Sequence, residues 1–196
     1  MLIKFAVKNF RGFAERIEWD LSHPSNYSFN TYAVKDGVIK NGIIYGPNGS
    51  GKSNFALAIF DIEYHLSVKW KKADYLSNYV YIGNPNSPVE FEYVFKFGND
   101  ILEYRYSKNV SGMLIAESLV ANNKQVFKRE NDVFEIDDDQ FRIDATVKEN
   151  FKQNVNSVSV INFLTASFPF PQDHYIVKLV LFVNTMLWFK NLDSRE

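Results

Sequence analysis

Gly46-Pro47-Asn48-Gly49-Ser50-Gly51-Lys52-Ser53 constrains this chain more than any other stretch, because it meets every fixed position of the pattern G-x-x-x-x-G-K-[ST]. Glycines at 46, 49 and 51 let the backbone bend so that successive amide N–H groups point inward, as a nest for phosphate oxygens requires. Lys52 adds a charge that can reach the β- and γ-phosphates of a nucleotide. Ser53 offers a hydroxyl to Mg²⁺, an ion that keeps most of its water and takes few protein ligands. Asn48, Gly49, Ser50, Gly51, Lys52, Ser53 and Asn54 are therefore the candidate contacts to ATP, with Ser53 the candidate metal ligand.

The flanks suit that reading. Val38-Ile39-Lys40-Asn41-Gly42-Ile43-Ile44-Tyr45 is rich in β-branched residues and predicts a buried strand running into the loop. Downstream, Phe55, Ala58, Ile59, Ile62 and Leu66 recur at helical spacing. The loop is thus expected to open a helix whose N-terminal dipole faces the phosphates.

At 196 residues, with 46% hydrophobic and 16% aromatic side chains, the chain can bury a sizeable core and is not disordered over its length. A net charge of −1 supplies no global attraction to nucleic acid or to an anionic membrane. The absence of cysteine excludes a disulfide framework and a thiolate metal site. Three widely separated histidines, His23, His65 and His174, lack zinc-ligand spacing. The opening Met1-Leu2-Ile3-Lys4-Phe5 alternates like a strand and has no continuous apolar core, so we expect a cytoplasmic protein.

Along the chain, Leu2 to Phe10 and Ile17 to Leu21 predict an antiparallel strand pair, with a further strand over Thr31 to Val34. Beyond the loop helix, which is expected to fray near Trp70 to Lys72, Val89, Phe91, Tyr93, Phe95 and Phe97 alternate with polar neighbours. Ile101 to Ser107, Met113 to Val120, Gln125 to Arg129 and Val133 to Ile136 continue this as an antiparallel meander, with turns at Gly98-Asn99-Asp100, Asn122-Asn123 and Glu130-Asn131-Asp132. From Asp144 the period becomes helical, over Ala145 to Val155 and Val158 to Ala166, until Phe168-Pro169-Phe170-Pro171 interrupts it. Tyr175 to Phe189 is apolar nearly all round but too short and too interrupted, by Lys178 and Asn184, for the about 20 apolar residues of a membrane span. A helix of that kind should be covered on all sides, so we expect another polypeptide or a continuation of this one to pack there. Two parts follow: a nucleotide-binding lobe over 1–143 and a helical segment over 144–196.

The opening Ile3-Lys4-Phe5-Ala6-Val7-Lys8-Asn9-Phe10-Arg11-Gly12-Phe13 and its spacing to Gly46–Asn54 resemble the N-terminal lobe of ABC-class ATPases of the RecF, SMC and OLD type. Glu90-Phe91-Glu92-Tyr93, Glu103-Tyr104-Arg105-Tyr106 and Ala116-Glu117-Ser118-Leu119 extend the likeness to a group often labelled AAA-family ATP-binding proteins of bacterial phage defence. The resemblance implies an α/β P-loop NTPase fold of ABC-ATPase type: the N-terminal lobe of a head, with a mixed and antiparallel sheet and a helical C-terminal part. It implies ATP and Mg²⁺ as cofactors, and places Arg11 near the base, ribose or phosphate. As partners it implies a homo-oligomer or complementary lobe through the apolar C-terminal helix, an effector nuclease, and DNA or other nucleic acid, with no membrane.

Parts of such a head are missing from the sequence pattern. Val133-Phe134-Glu135-Ile136-Asp137-Asp138-Asp139 imitates an acidic strand end but reads as a hairpin tip, and Ser111-Gly112 reads as a turn rather than a signature helix start. Gln125, Gln140, Gln153 and Gln172 lack the context of a Mg²⁺-sensing glutamine, and Lys69-Trp70-Lys71-Lys72 reads as a solvated helix end. The chain alone is expected to bind ATP without efficient hydrolysis, as an ATPase only when a C-terminal lobe adds the acidic residues. The alternatives are a P-loop small-molecule kinase and a shortened non-catalytic binding protein. A β layer ahead of the loop and a meander after it disfavour the kinase.

Overall fold

Alternation of apolar and polar side chains over Val89–Phe97 builds the middle of the molecule, because it gives a strand one face fit for a core and one fit for water. The computed structural model describes residues 1–25, 28–67, 73–130, 133–153 and 158–188. Its strands are β1 (Leu2–Lys8), β2 (Ile17–Asp20), β3 (Val34–Lys35), β4 (Val38–Ile39), β5 (Val89–Phe97), β6 (Asp100–Lys108), β7 (Leu114–Ala121), β8 (Lys124–Glu130) and β9 (Val133–Ile136). Its helices are α1 (Lys52–Leu66), α2 (Ala145–Gln153), α3 (Val160–Ser167) and α4 (Tyr175–Asn184). The fold is mixed α/β, a large antiparallel sheet with four helices among the described residues.

Seven strands form that sheet in the order β2-β1-β5-β6-β7-β8-β9, while β3 and β4 make a separate two-residue ribbon closed by Asp36 and Gly37 at φ 52° and 75°. The Asn122-Asn123 turn between β7 and β8 likewise has both residues at positive φ, which the right-handed twist of a tight hairpin demands. The inward faces of β1, β5 and β6 bring Phe5, Phe91, Tyr93, Phe95, Leu102 and Tyr104 into one core with Ala58 and Ile62 of α1. Val160 and Leu164 of α3 and Ile176, Leu179 and Val183 of α4 join the same core. The opposite face carries charge: Glu92 meets Arg16 and Arg105 at 3.1 and 3.0 Å, and Lys4 meets Glu18 at 3.0 Å. Glu92 is 8% exposed and takes two guanidinium partners, whereas a solvated pair such as Lys4–Glu18 is worth only about 0–1 kcal/mol.

The meander, the β1–β2 pair, the loop helix and the Phe168–Pro171 break form as the pattern predicts. Several details differ. The expected buried strand over Val38–Tyr45 stops at Ile39; from Asn41 to Tyr45 the backbone pairs with no strand among the described residues, and Ile43 and Tyr45 are 89% and 91% exposed. β-branched residues favour an extended chain, but a ladder needs a backbone partner, and among the described residues this stretch has none, although Gly42 lies against the Trp19 ring. Thr31–Ala33 is a 3-10 turn rather than a strand, entered through Asn30 in the left-handed region. All strand pairs described are antiparallel, so the parallel component of the expected mixed sheet is not formed among these residues.

The last helix ends at Asn184, short of the expected Phe189, and buries one face through Ile176, Leu179 and Val183 while Leu181 stays exposed. Its neighbours are α1, α3 and β5. No described helix is long and apolar enough to cross a membrane. The expected turn at Asn131-Asp132, the helix fraying at Trp70 to Lys72, the Lys69–Lys72 run and Phe189 lie outside the described residues.

Candidate nucleotide-binding loop

Aromatic packing sets where the loop helix begins. Phe55, in the first turn of α1, meets Phe5, Trp19 and Phe13 edge-on, with ring centroids 5.6, 5.7 and 6.5 Å away. Three rings drawn from β1, β2 and the turn between them therefore grip the start of the helix, each such pair adding about 0.5–1.5 kcal/mol beyond its area. The loop stands just outside this cluster.

Gly51 caps α1 in the left-handed region, at φ 93° and ψ 5°, with no side chain bonded to the helix N-terminus. Gly49 lies at φ 80°. The first amide bond of the helix runs from Phe55 to the Gly51 carbonyl at 2.8 Å, and Ser50 N–H turns back to Pro47 at 3.3 Å. Among the described residues the amides of Gly49, Gly51, Lys52 and Ser53 donate to no protein acceptor. Left-handed glycines, an uncapped helix start and unclaimed N–H groups are what an anion nest requires, so the residues present fit a phosphate chain.

Lys52 completes the loop by folding over it, its Nζ donating to the carbonyls of Gly46 and Pro47, both at 2.7 Å. The amine thus sits at the loop, on a four-carbon stem that can turn to another acceptor. Asn48, Gly49, Ser50 and Ser53 are exposed, Gly51, Lys52 and Asn54 half-buried. Asn54 lies beside the β1–β2 turn, its Nδ2 3.6 Å from where a Cβ on Gly12 would stand. No carboxylate bonds Lys52 or Ser53 among the described residues, so a Mg²⁺ held there would rest on Ser53, water and the phosphates.

A side chain at Gly51 would meet the Phe13 ring at 3.0 Å and force a strained φ as well, whereas Gly49 has open space around it. Gly51→Ala is accordingly expected to lower stability by about 1–3 kcal/mol, and Gly49→Ala by less. Urea unfolding midpoints of the two variants compare them directly, and equal midpoints would remove the Phe13 contact from the explanation.

Arg11, expected near the base, ribose or phosphate, has backbone and ring contacts of its own. It sits at φ 50°, its backbone N–H bonds the Tyr79 carbonyl at 3.0 Å, and its Nη2 bonds the Tyr75 carbonyl at 2.8 Å. The guanidinium lies over the Phe10 and Tyr75 rings, 5.6 and 5.9 Å from their centroids. It bonds the segment that supports α1 rather than the loop itself. Glu135 is exposed on β9 and accepts from Gln125 at 3.1 Å, and Gly112 at φ 71° makes the β6–β7 turn, as the pattern predicts for both. Gln140 pairs with His174 and Tyr175.

Two buried carboxylates behind the loop escaped the sequence reading. Asp61 of α1 has no exposed surface and accepts from Tyr75 at 2.6 Å, Tyr79 at 2.7 Å, Tyr106 at 2.8 Å and the Lys108 ammonium. Glu117 of β7 accepts from Tyr104 at 2.8 Å, Ser159 at 2.7 Å, Arg129 at 3.1 Å and the Val160 amide at 2.9 Å. Burial first, then the neighbouring carboxylate, pushes Tyr75, Tyr79, Tyr104 and Tyr106 far above the ordinary phenol value, so all four stay donors. Burial also pulls the Arg129 guanidinium below its usual value, an effect that Glu117 opposes. His65 of α1 joins the two centres, its Nε2 lying 2.9 Å from the Tyr104 hydroxyl. Because that hydroxyl gives its one proton to Glu117, the His65 Nε2 is the protonated nitrogen. A sequence signal existed for both: Asp61 falls between Ala58 and Ile62 on the helix's apolar stripe, and Glu117 shares a strand face with Leu119 and Ala121.

Compared with known proteins, the chain matches no protein-family model and no curated protein.

Proposed function

We propose that the chain binds Mg-ATP through Gly46–Asn54, as the N-terminal lobe of an ABC-type P-loop ATPase head whose nucleotide-dependent association acts on DNA or an effector nuclease. The observation that carries this reading is the loop itself: glycines at φ 80° and 93°, amides without protein acceptors, a helix start without a side-chain cap, and the Lys52 ammonium 2.7 Å from two loop carbonyls. Phosphate oxygens would take the free N–H groups, and Lys52 would exchange its carbonyls for the β- and γ-phosphates. Ser53, exposed at the first turn, would give its hydroxyl to Mg²⁺.

Hydrolysis needs one carboxylate for the metal shell and another group to orient water. Asp61, the acidic residue on the loop helix with four donors around it, is buried and committed elsewhere. The reading is therefore nucleotide binding, with turnover arising where a complementary lobe supplies the acids. Ile43 and Tyr45, exposed on an unladdered backbone that leads into the loop, support such a lobe, since an apolar strand of this kind is stabilised by a neighbour on its edge.

Lys52→Ala is expected to weaken Mg-ATP binding by at least about tenfold, the value of losing a charge-assisted contact to phosphate. Calorimetric titration of both proteins measures it, with circular dichroism showing the same fold. An unchanged affinity in the variant would remove Lys52 from the site, and no heat of binding in the parent would remove the nucleotide.

A further inference from the structure

At the far end of β1 from the loop, three lysines from separate parts of the chain converge on one cavity of about 320 Å³. Lys35 comes from the β3–β4 ribbon, Lys96 from β5 and Lys178 from α4, with Asp36 and Phe97 beside them. Lys96 Nζ donates to the Asp36 carbonyl at 2.9 Å, which ties the ribbon to the sheet and fixes the amine at the mouth. Among the described residues neither Lys35 nor Lys96 has a carboxylate within ion-pair distance, and Lys178 meets Asp100 only at 4.0 Å. By contrast, Lys4, Arg16, Arg105, Lys124, Lys128 and Lys148 each face an acid at 3.1 Å or less. In a chain of net charge −1, an excess of ammonium groups around one concavity is a local feature and not a reflection of composition.

We infer that this cavity is a second anion site, separate from the glycine loop, that takes a small phosphate-bearing molecule between Lys35, Lys96 and Lys178. The chemistry follows from the lining. Ammonium groups are strongly hydrated point charges that suit a compact, multiply charged oxyanion, while planar bidentate recognition would call for arginine. No residue of Gly46–Asn54 lines this cavity.

The test is an amide-resolved NMR titration of full-length Lys52→Ala protein with inorganic pyrophosphate, so that the loop's own phosphate response is suppressed. Saturable shifts are expected at Lys35–Gly37 and Lys96–Gly98. Lys35→Glu, at an exposed position with no partner to lose, is expected to weaken that binding at least about tenfold. Lys96→Ala provides a second variant. Absence of saturable shifts, shifts unaltered by Lys35→Glu, or shifts erased to the same extent by sodium chloride at matched ionic strength would each overturn the site. Displacement of pyrophosphate by a short oligonucleotide at lower phosphate concentration would assign the lysines to a polynucleotide backbone and overturn the small-anion assignment. Because the loop lysine is absent throughout, none of these outcomes bears on nucleotide binding at Gly46–Asn54.

Discussion

Asp61→Ala is expected to reduce the unfolding free energy by about 3–5 kcal/mol, the loss typical of stripping one partner from a buried ion pair. Four donors converge on that carboxylate, among them the Lys108 ammonium, 4% exposed in the core, and its removal takes from that ammonium the acid it meets there. Three tyrosine hydroxyls lose their acceptor at the same time, each costing about 1–3 kcal/mol if nothing replaces it. A small domain has only about 5–15 kcal/mol to lose, so the variant should unfold at a much lower urea concentration or fail to fold. Asp61→Asn keeps the shape but turns one oxygen into a donor facing donors, and should be nearly as damaging. The decisive comparison is Asp61→Ala with Lys108→Met, which removes both charges and should recover part of the loss as a coupling of about 0.5–3 kcal/mol. A loss below about 1 kcal/mol in Asp61→Ala would refute the account of this centre.

Glu117→Ala is expected to cost a similar amount, about 3–5 kcal/mol, but to show it elsewhere in the molecule. Glu117 faces Arg129 directly across the β7–β8 ladder, and both side chains are fully buried. The same carboxylate accepts from the Val160 amide and from Ser159, whose own oxygen accepts from the Ile161 amide, so it closes the N-terminus of α3. Negative charge at that position also favours the helix dipole. Hydrogen exchange should therefore accelerate first over Val160–Leu164 in this variant and over α1 in Asp61→Ala. Uniform acceleration in both would mean the two centres act only through global stability.

Much of the sheet was readable because its signal is local. Val89–Phe97 alternates cleanly, and Asn122-Asn123 carries a turn in its own two residues. The left-handed turns at Gly49 and Gly51 are local in the same way, since they use the backbone freedom that glycine has wherever it stands. Asn41–Tyr45 was misread because propensity reports a preference for extension and says nothing about whether an edge is present to receive it. The buried carboxylates were missed because their donors arrive from far along the chain, Tyr106 and Lys108 on Asp61, and Ser159 and Val160 on Glu117. Arg11 lay in a turn that could be located, but its attachment to Tyr75 and Tyr79 depends on a segment more than sixty residues downstream.

Helix α1 is fastened at its first turn by Phe5, Phe13 and Trp19, at mid-length by Asp61 and near its end by His65. Asn41–Tyr45, on the other flank of the glycine loop, is held by no backbone ladder among the described residues. The loop thus stands between a strut and a tether. Gly42 brings the two together, because it lies against the Trp19 ring that also meets Phe55, so displacing the tether there would disturb one of the strut's three rivets.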